Sequence, residues 1–170
     1  RKGYKPKPYI RAEYPGQKVQ VDVKFVPSYC VANGQKYYQY TAVDECTRWT
    51  FRYMYEEHST YSSAVFLEHL IKAFPFPIEC VQTDNGQEFT KRLSSSKKPT
   101  LTLFEARLKQ CGIKHKLIKP YTPRHNGKVE RSHRKDNEYF YAVHNRNYNN
   151  FPMRPLNWKS PSDFVNAFIS

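Results

Sequence analysis

The first third of the chain alternates between apolar and polar residues with the period of two that is typical of β-strands. The clearest run is KVQVDVKFV at 18–26, where Val or Phe occupies the odd positions from 19 to 25 and polar residues occupy the even ones. Two later runs, KYYQYTAVD at 36–44 and RWTFRYMYE at 48–56, are rich in aromatic and β-branched residues. Asn33-Gly34 is a hairpin signal between the first two runs. The pattern predicts three strands in succession.

After residue 58 the apolar spacing changes to that of amphipathic helices, with two short strands between them. Ser59 or Thr60 can cap a helix over 61–74, whose predicted apolar face contains residues 64, 67, 70, 71 and 74. The pattern then predicts a strand at 78–83, a helix at 100–112, a strand at 113–119, a long helix from about 128 to 145 and a short helix after Ser160 or Ser162. This order is typical of an α/β fold with one mixed sheet covered by helices.

The charge balance narrows the kind of partner. The 170 residues contain 28 Lys and Arg against 15 Asp and Glu, which gives a net charge of +13. Such an excess favours a polyanionic partner, most often nucleic acid, whereas the alternative is a basic surface that serves only solubility. No apolar run reaches the roughly 20 residues that a membrane helix needs, so no membrane partner is expected.

The length suits one domain with its own hydrophobic core. Residues 1–16 are basic and contain three prolines. We interpret them as an N-terminal arm or linker. The core domain is expected to extend over 17–170.

Three carboxylates occupy positions where neighbouring elements can converge. Asp22 lies on the polar side of the first strand, Asp84 comes directly after the strand at 78–83, and Glu130 lies in the first turn of the long helix. Each has an ordinary explanation alone: a solvated strand face, a turn residue before Asn-Gly, and a helix N-terminal charge. Together they form an all-oxygen donor set that suits Mg²⁺ or Mn²⁺. The four cysteines form no Cys-x-x-Cys pair, which disfavours zinc.

A basic segment surrounds Glu130. Eight Lys or Arg residues lie between 114 and 135, and Glu130 is the only acid among them. A segment with this charge can bind a phosphate backbone. The alternative is an i,i+4 pair between Glu130 and Arg134, worth roughly 0.3 kcal/mol, which leaves the other seven cations unexplained.

Four stretches in a fixed order carry a family resemblance: VQVDVKFV, YQYTAVDECTRW, VQTDNGQEF and GIKHKLIKPYTPRHNGKVERSHR. Over about residues 17 to 168, the chain resembles the catalytic core of retroviral integrases and bacterial insertion-sequence transposases, the DDE superfamily with a ribonuclease-H-like fold. The resemblance implies a five-stranded mixed sheet, a three-strand antiparallel meander plus two parallel strands, with helices on both faces. It also implies metal-dependent DNA strand cleavage and strand transfer, in which a 3′-OH attacks a target phosphodiester.

The resemblance also implies roles for single residues. Asp22, Asp84 and Glu130 match the catalytic Asp-Asp-Glu triad and would hold two Mg²⁺ or Mn²⁺ ions, with Asp22 bridging them. Glu88 is near Asp84 in sequence, and its two interpretations are a supporting residue and a salt-bridge partner. The residues expected to shape the surrounding loops are Asn85, Gly86, Tyr121, Pro123, Asn126 and Gly127. The residues expected to contact DNA are Lys116, Lys119, Arg124, Lys128, Arg131 and Arg134, with Lys128 and Arg131 as the best candidates.

The spacing of the triad departs from the family pattern. Forty-five residues separate Asp84 from Glu130, which is more than the family's usual spacing, and the basic loop at 91–99 explains the excess. Two other functions fit the same fold: a catalytically silent DNA-binding domain, and a nuclease that hydrolyses without joining. The expected partners are transposon ends and target DNA bound by a homo-oligomer, and the expected location is the bacterial cytoplasm at the nucleoid.

Overall fold

A computed structural model of the chain describes residues 11–26, 35–91, 100–118, 127–136 and 161–169. Its strands are β1 (Val19–Phe25), β2 (Tyr38–Asp44), β3 (Thr50–Tyr55), β4 (Cys80–Thr83) and β5 (Lys114–Leu117). Its helices are α1 (Thr60–Ala73), α2 (Leu103–Gln110), α3 (Gly127–Lys135) and α4 (Pro161–Ile169). None of these helices has the length and apolar character needed to cross a membrane. The predicted turn at Asn33-Gly34 and the predicted continuation of α3 to residue 145 lie outside the described residues.

The strands form one mixed sheet in the order β3-β2-β1-β4-β5. β1 pairs antiparallel with β2, and β2 pairs antiparallel with β3, so the first three strands form a meander. β4 lies parallel to β1, with Gln82 opposite Gln20, and β5 lies parallel to β4. The predicted five-stranded mixed sheet is therefore confirmed.

The alternation in β1 separates an apolar sheet face from a polar one. The apolar face packs against α1 and α2. In α1 the buried face includes Phe66, whereas Ile71, which the pattern assigned to it, is 37% exposed. The buried face of α1 is therefore displaced around the helix from the predicted one. Phe66, Leu67 and Leu70 point at the sheet, whereas Ile71 does not. The core contains Val19, Val21, Tyr40, Ala42, Phe66, Leu67, Leu70, Val81, Phe104 and Leu108, among others.

The starts of α1 and α2 follow their capping residues. Ser59, rather than Thr60, caps α1, because the Ser62 N–H donates to its Oγ at 3.1 Å. Thr102 and Glu105 form a capping box at α2, each side chain accepting from the other residue's backbone N–H. The Thr102 hydroxyl also donates to the carbonyl of Phe89 at 2.9 Å. This bond ties α2 to the segment that follows β4.

The opposite sheet face is covered by α3, which packs against β1 and β2. Most sheet residues on this side are polar, and Gln20, Gln39 and Thr41 are buried there together with Val43. Val129 is the buried apolar residue among those described in α3. Helices therefore cover both faces, as predicted, but hydrogen bonds and ion pairs rather than apolar packing hold α3 to the sheet.

Residues 11–16, within the predicted arm, lie against the sheet domain. The Gly16 N–H donates to Asp44 Oδ1 at 3.0 Å, and the Glu79 N–H donates to the Gly16 carbonyl at 2.9 Å. Gly16 has a φ of +82°, and a Cβ there would collide with the Pro77 carbonyl, so glycine is required. Residues 1–10 lie outside the described residues, and the boundary at residue 16 stays a prediction.

Candidate active site

Asp22 lies in the middle of β1 on the face beneath α3, where it is partly buried. The Val23 N–H donates to its Oδ1 at 2.9 Å, and its Oδ2 lies 3.5 Å from Nδ1 of His133 on α3. Burial and the neighbouring carboxylate of Asp84 raise the pKa of Asp22 to about 7, and Glu130 adds to this effect. Ionised Asp22 is therefore disfavoured unless a positive charge is supplied.

Asp84 follows the last residue of β4 and is held by its neighbours on both sides. The Gly86 N–H donates to Asp84 Oδ1 at 2.9 Å. The Thr83 hydroxyl donates to the Asp84 carbonyl at 2.8 Å and also contacts Nε2 of His115 on β5 at 2.9 Å. The Asn85 amide donates to the carbonyl of Ile118 at 2.8 Å, just after β5. The exposed carboxylate is thus fixed to the end of two parallel strands, where α/β sheets place ligands.

The Asn85-Gly86 pair has a different role from the one that its turn signal indicates. Gly86 is not among the described glycines with positive φ, which are Gly16 and Gly112. A Cβ on Gly86 would instead collide with the carboxylate of Glu88, which is buried and lies 2.9 Å from Nε2 of His58. Glycine at this position gives room for the Glu88–His58 contact rather than for a left-handed turn.

Glu130 lies in the first turn of α3 and is exposed, while the preceding residue, Val129, is fully buried. The negative charge of Glu130 raises the pKa of Asp22, and so does the charge of Asp84. Both carboxylates therefore lie near enough to Asp22 to affect its ionisation. The parallel register also brings Asp22 and Asp84 to the same level, two residues beyond the Gln20–Gln82 pair. Among the described residues, however, no three His, Cys, Asp or Glu side chains are close enough to hold a metal ion.

His133 is a residue of the site that the sequence interpretation missed. Burial and the nearby charge of Lys24 lower its pKa to about 4, so the imidazole is neutral at pH 7. Its Nε2 is buried and has no hydrogen-bond partner among the described residues, while Nδ1 faces Asp22. The sequence did contain an indication of this position. His133 follows Glu130 by three residues, and residues at this spacing lie on the same side of a helix.

The predicted DNA contacts fall into three groups. Lys116 on β5 and both Arg131 and Arg134 on α3 are exposed. Lys128 is different, because its ammonium lies 3.0 Å from the buried carboxylate of Glu45. Burial and the charge of Arg48 lower the pKa of Lys128 to about 8. Two predicted DNA contacts, Lys119 and Arg124, lie outside the described residues. The same holds for three residues that were expected to shape the loops, which are Tyr121, Pro123 and Asn126.

Comparison with known proteins agrees with this architecture. The family model of the integrase core domain matches residues 12–123, a range that includes Asp22 and Asp84 and ends before Glu130. The protein "Putative integrase ORF3" of Spiroplasma virus SpV1-C74 is 29% identical over 178 residues, which cover 88% of this chain and 47% of the viral protein. The chain thus spans about half the length of the curated relative that it matches.

Solved structures with a similar fold come from retroviruses. The HTLV-2 integrase catalytic core domain in complex with magnesium has a TM-score of 0.65 and 19% identity, covering 91% of this chain and 99% of that one. The catalytic core domain of BIV integrase has a TM-score of 0.64 and 18% identity, covering 91% and 96%. A chain of the simian T-cell lymphotropic virus intasome in complex with PP2A regulatory subunit B56 gamma has a TM-score of 0.63 and 21% identity, covering 94% and 51%.

At these identities the structural likeness concerns the fold. The family match is stronger evidence, because it covers more than half of the chain and contains two of the three carboxylates. The five-stranded sheet with helices on both faces agrees with it. The chain belongs to the integrase core domain family.

Proposed function

We propose that this chain is the catalytic core of a DDE-type enzyme that cuts and joins DNA strands, with Asp22, Asp84 and Glu130 as its catalytic residues. The observation that carries the proposal is that Asp84 and Glu130 raise the pKa of the partly buried Asp22 within an integrase core fold. A partly buried carboxylate beside two other carboxylates is unfavourable when ionised, and a bound cation offsets that charge.

The donor atoms are of the type that divalent metal ions prefer, although the three carboxylates are too far apart in this structure to hold one ion together. Asp22, Asp84 and Glu130 supply oxygen ligands only, and Mg²⁺ and Mn²⁺ prefer such ligands. The similar catalytic core of HTLV-2 integrase was solved in complex with magnesium. Asp22, Asp84 and Glu130 would hold the divalent ions, whose chemistry would be to activate the attacking oxygen and neutralise charge on the scissile phosphate.

The remaining residues of the site hold the carboxylates in place. Thr83, Asn85 and His115 fix the turn that carries Asp84. His133 limits the orientations of Asp22 from the α3 side.

The proposed reaction has two steps. In the first, water adds to a phosphorus atom and a DNA 3′-oxygen leaves as a hydroxyl. In the second, this 3′-OH attacks a target phosphodiester, whose own 3′-oxygen leaves with the proton.

The proposed partners are the ends of a mobile DNA element and its target. The structures of similar fold include an intasome and a trimeric form of a catalytic core. We extend this to a homo-oligomer assembled on DNA. The bacterial cytoplasm at the nucleoid remains our prediction for the location.

The test of this function uses a branched oligonucleotide that mimics the joined product, because resolving it requires no recognition of element ends. The same purified chain is also incubated with labelled DNA that carries the ends flanking its gene. With Mg²⁺ or Mn²⁺ we expect resolved branches from the first substrate and joined products from the second; with EDTA we expect none. Nicking without any joining would indicate a nuclease, and DNA binding without strand cleavage would indicate a silent binding domain. Either result would overturn the proposal.

Arg131 and Lys116 are expected to contribute phosphate contacts. Changing either to alanine should lower the slope of log K against log salt by about 1 and weaken binding equally for all sequences. Lys72, exposed in the last turn of α1 on the opposite sheet face, gives the matched control Lys72→Ala. Fluorescence anisotropy at several salt concentrations measures both quantities, and an unchanged slope in the Arg131 and Lys116 variants would remove these residues from the DNA interface.

A further inference from the structure

Glu45 is a fully buried carboxylate that lies between two lysines, directly after β2. Its Oε2 is 2.8 Å from Nζ of Lys18, at the start of β1, and its Oε1 is 3.0 Å from Nζ of Lys128, in the first turn of α3. We infer that Glu45 and Lys128 are positioning residues, which fix the start of α3 so that Glu130 faces Asp22. This inference rests on the proposed function.

Glu45 is a fixed point of the sheet. Its side chain is 0% exposed, and its backbone N–H donates to the Lys18 carbonyl at 2.9 Å. The Gln20 amide lies 3.5 Å from the same carboxylate oxygen that Lys18 contacts. Both the backbone and the side chain of Glu45 are therefore tied to β1, the strand that carries Asp22. A buried carboxylate is strongly unfavourable unless it is paired, so Glu45 depends on its two lysine partners.

Lys128 connects this fixed point to Glu130. Its ammonium contacts Glu45 twice, through the carboxylate at 3.0 Å and through the backbone carbonyl at 3.3 Å. Lys128 precedes Glu130 by two residues, and the buried Val129 lies between them. The first turn of α3 is thus held at two consecutive positions while the Glu130 side chain stays exposed. The Lys128–Glu45 pair therefore ties this turn to the sheet next to the buried Val129.

The direction of the Lys128 side chain separates this role from a DNA contact. The side chain is 18% exposed, whereas Arg131 and Arg134 on the same helix are exposed. An ammonium that contacts two groups of Glu45 is directed towards the sheet and away from the solvent. Removing it should change the reaction rate and the binding of metal, but not the number of phosphate contacts.

The test compares Lys128→Met and Glu45→Gln, singly and together, with the wild type. The matched control is Glu68→Gln, which removes the exposed pair of Glu68 and Arg107 between α1 and α2. The measurements are the rate of branch resolution at saturating DNA, the salt slope of DNA binding, and Mn²⁺ binding by electron paramagnetic resonance. Circular dichroism checks that each variant is folded.

We expect Lys128→Met and Glu45→Gln to lower the rate and the Mn²⁺ affinity by about 10- to 100-fold, as is typical of residues that orient metal ligands. The salt slope should not change, and the double variant should lose no more than either single one, because both remove the same contact. Lys128→Arg, which keeps the charge, should recover part of the rate. If Lys128→Met lowers the salt slope by about 1 at an unchanged rate, Lys128 is a DNA contact and the inference is overturned.

Failure of this inference can be distinguished from failure of the proposed function. If the wild type resolves branches and both variants match it in rate and Mn²⁺ affinity, only the positioning role is wrong. If the wild type is inactive, the proposed function fails. The positioning role is then still tested by comparing the Mn²⁺ affinity of Lys128→Met with the affinities of the wild type and of Glu130→Gln. A Lys128→Met variant that binds Mn²⁺ as tightly as the wild type would contradict it.

Discussion

Asp22→Asn, Asp84→Asn and Glu130→Gln are each expected to abolish DNA joining while DNA binding persists. Each substitution keeps the size of the side chain and removes one negative oxygen donor. Metal ions that stabilise a phosphoryl transition state contribute several kcal/mol, and about 4 kcal/mol corresponds to roughly a thousandfold in rate. The branched-substrate assay with Mg²⁺ measures the loss directly. Metal-dependent joining by any of the three variants at more than about a tenth of the wild-type rate would remove that residue from the triad.

The melting temperature of the Asp22→Asn variant distinguishes a loss of catalysis from a loss of folding. Because burial and Asp84 raise the pKa of Asp22 from 3.8 to about 7, the free energy of unfolding of the metal-free protein falls as the pH rises between these two values, and the loss is complete above pH 7. Neutral asparagine at the same place has no such effect. In EDTA at pH 8, Asp22→Asn should therefore unfold at the same temperature as the wild type or higher, whereas a lower melting temperature would mean that its inactivity comes from misfolding.

Glu88→Gln is the control for the specificity of this result. Glu88 is buried close to Asp84 and contacts His58, and its charge also raises the pKa of Asp22. If it supports the site without holding the metal, its loss should lower the rate by no more than about 100-fold. A complete loss in Glu88→Gln would place it among the catalytic carboxylates.

Arg52→Met is expected to destabilise the fold by about 3 kcal/mol, because it leaves a buried charge without its main partner. Arg52 reaches from β3 to the end of α3. Its Nη2 lies 2.6 Å from Asp136 Oδ1 and its Nε lies 3.0 Å from Oδ2, while Asp136 is only 3% exposed. The same Nη2 donates to the Ser132 hydroxyl at 2.9 Å. Gln39 also donates to Asp136, at 2.8 Å, but a neutral amide does not replace the guanidinium.

Urea unfolding followed by circular dichroism measures this free energy. Arg107→Met is the matched control, because Arg107 pairs with Glu68 at 3.0 Å where both side chains are more than a third exposed. Its loss should lower the free energy of unfolding by less than about 1 kcal/mol. Combining Arg52→Met with Asp136→Asn should recover part of the stability, since the buried charge is then removed. Equal effects of Arg52→Met and Arg107→Met would show that the Asp136 contacts do not hold α3.

Much of the fold could be predicted because it depends on local patterns. The period of two in β1 assigned Val19 and Val21 to the core and Asp22 to the other face. The cap of α1 was predicted as Ser59 or Thr60, since both side chains can accept from nearby backbone N–H groups, and the structure has Ser59. The buried face of α1 was wrong at Ile71, since a helix pattern leaves the exact direction of its apolar face open by part of a turn.

The candidate site was predictable in its carboxylates but not in their surroundings. Asp22, Asp84 and Glu130 could be named because each follows a recognisable strand or helix signal. His133 was missed, because its burial and lowered pKa depend on Lys24 and on packing against β1. Lys128 was expected to contact DNA, and in the structure its ammonium contacts Glu45, which lies 83 positions earlier in the chain; the DNA contact itself stays a prediction.

The sequence by itself determined the strand order along the chain, the polarity of each face and the elements on which the three candidate carboxylates lie, because these follow from neighbours a few residues apart. Only the tertiary structure decided which charges are buried together. It placed Glu45 between Lys18 and Lys128, Asp136 against Arg52, and the carboxylate of Asp22 near enough to Asp84 and Glu130 for their charges to raise its pKa. The physical reason is that the energy of a charge depends on its burial and on partners that the chain brings together from distant positions.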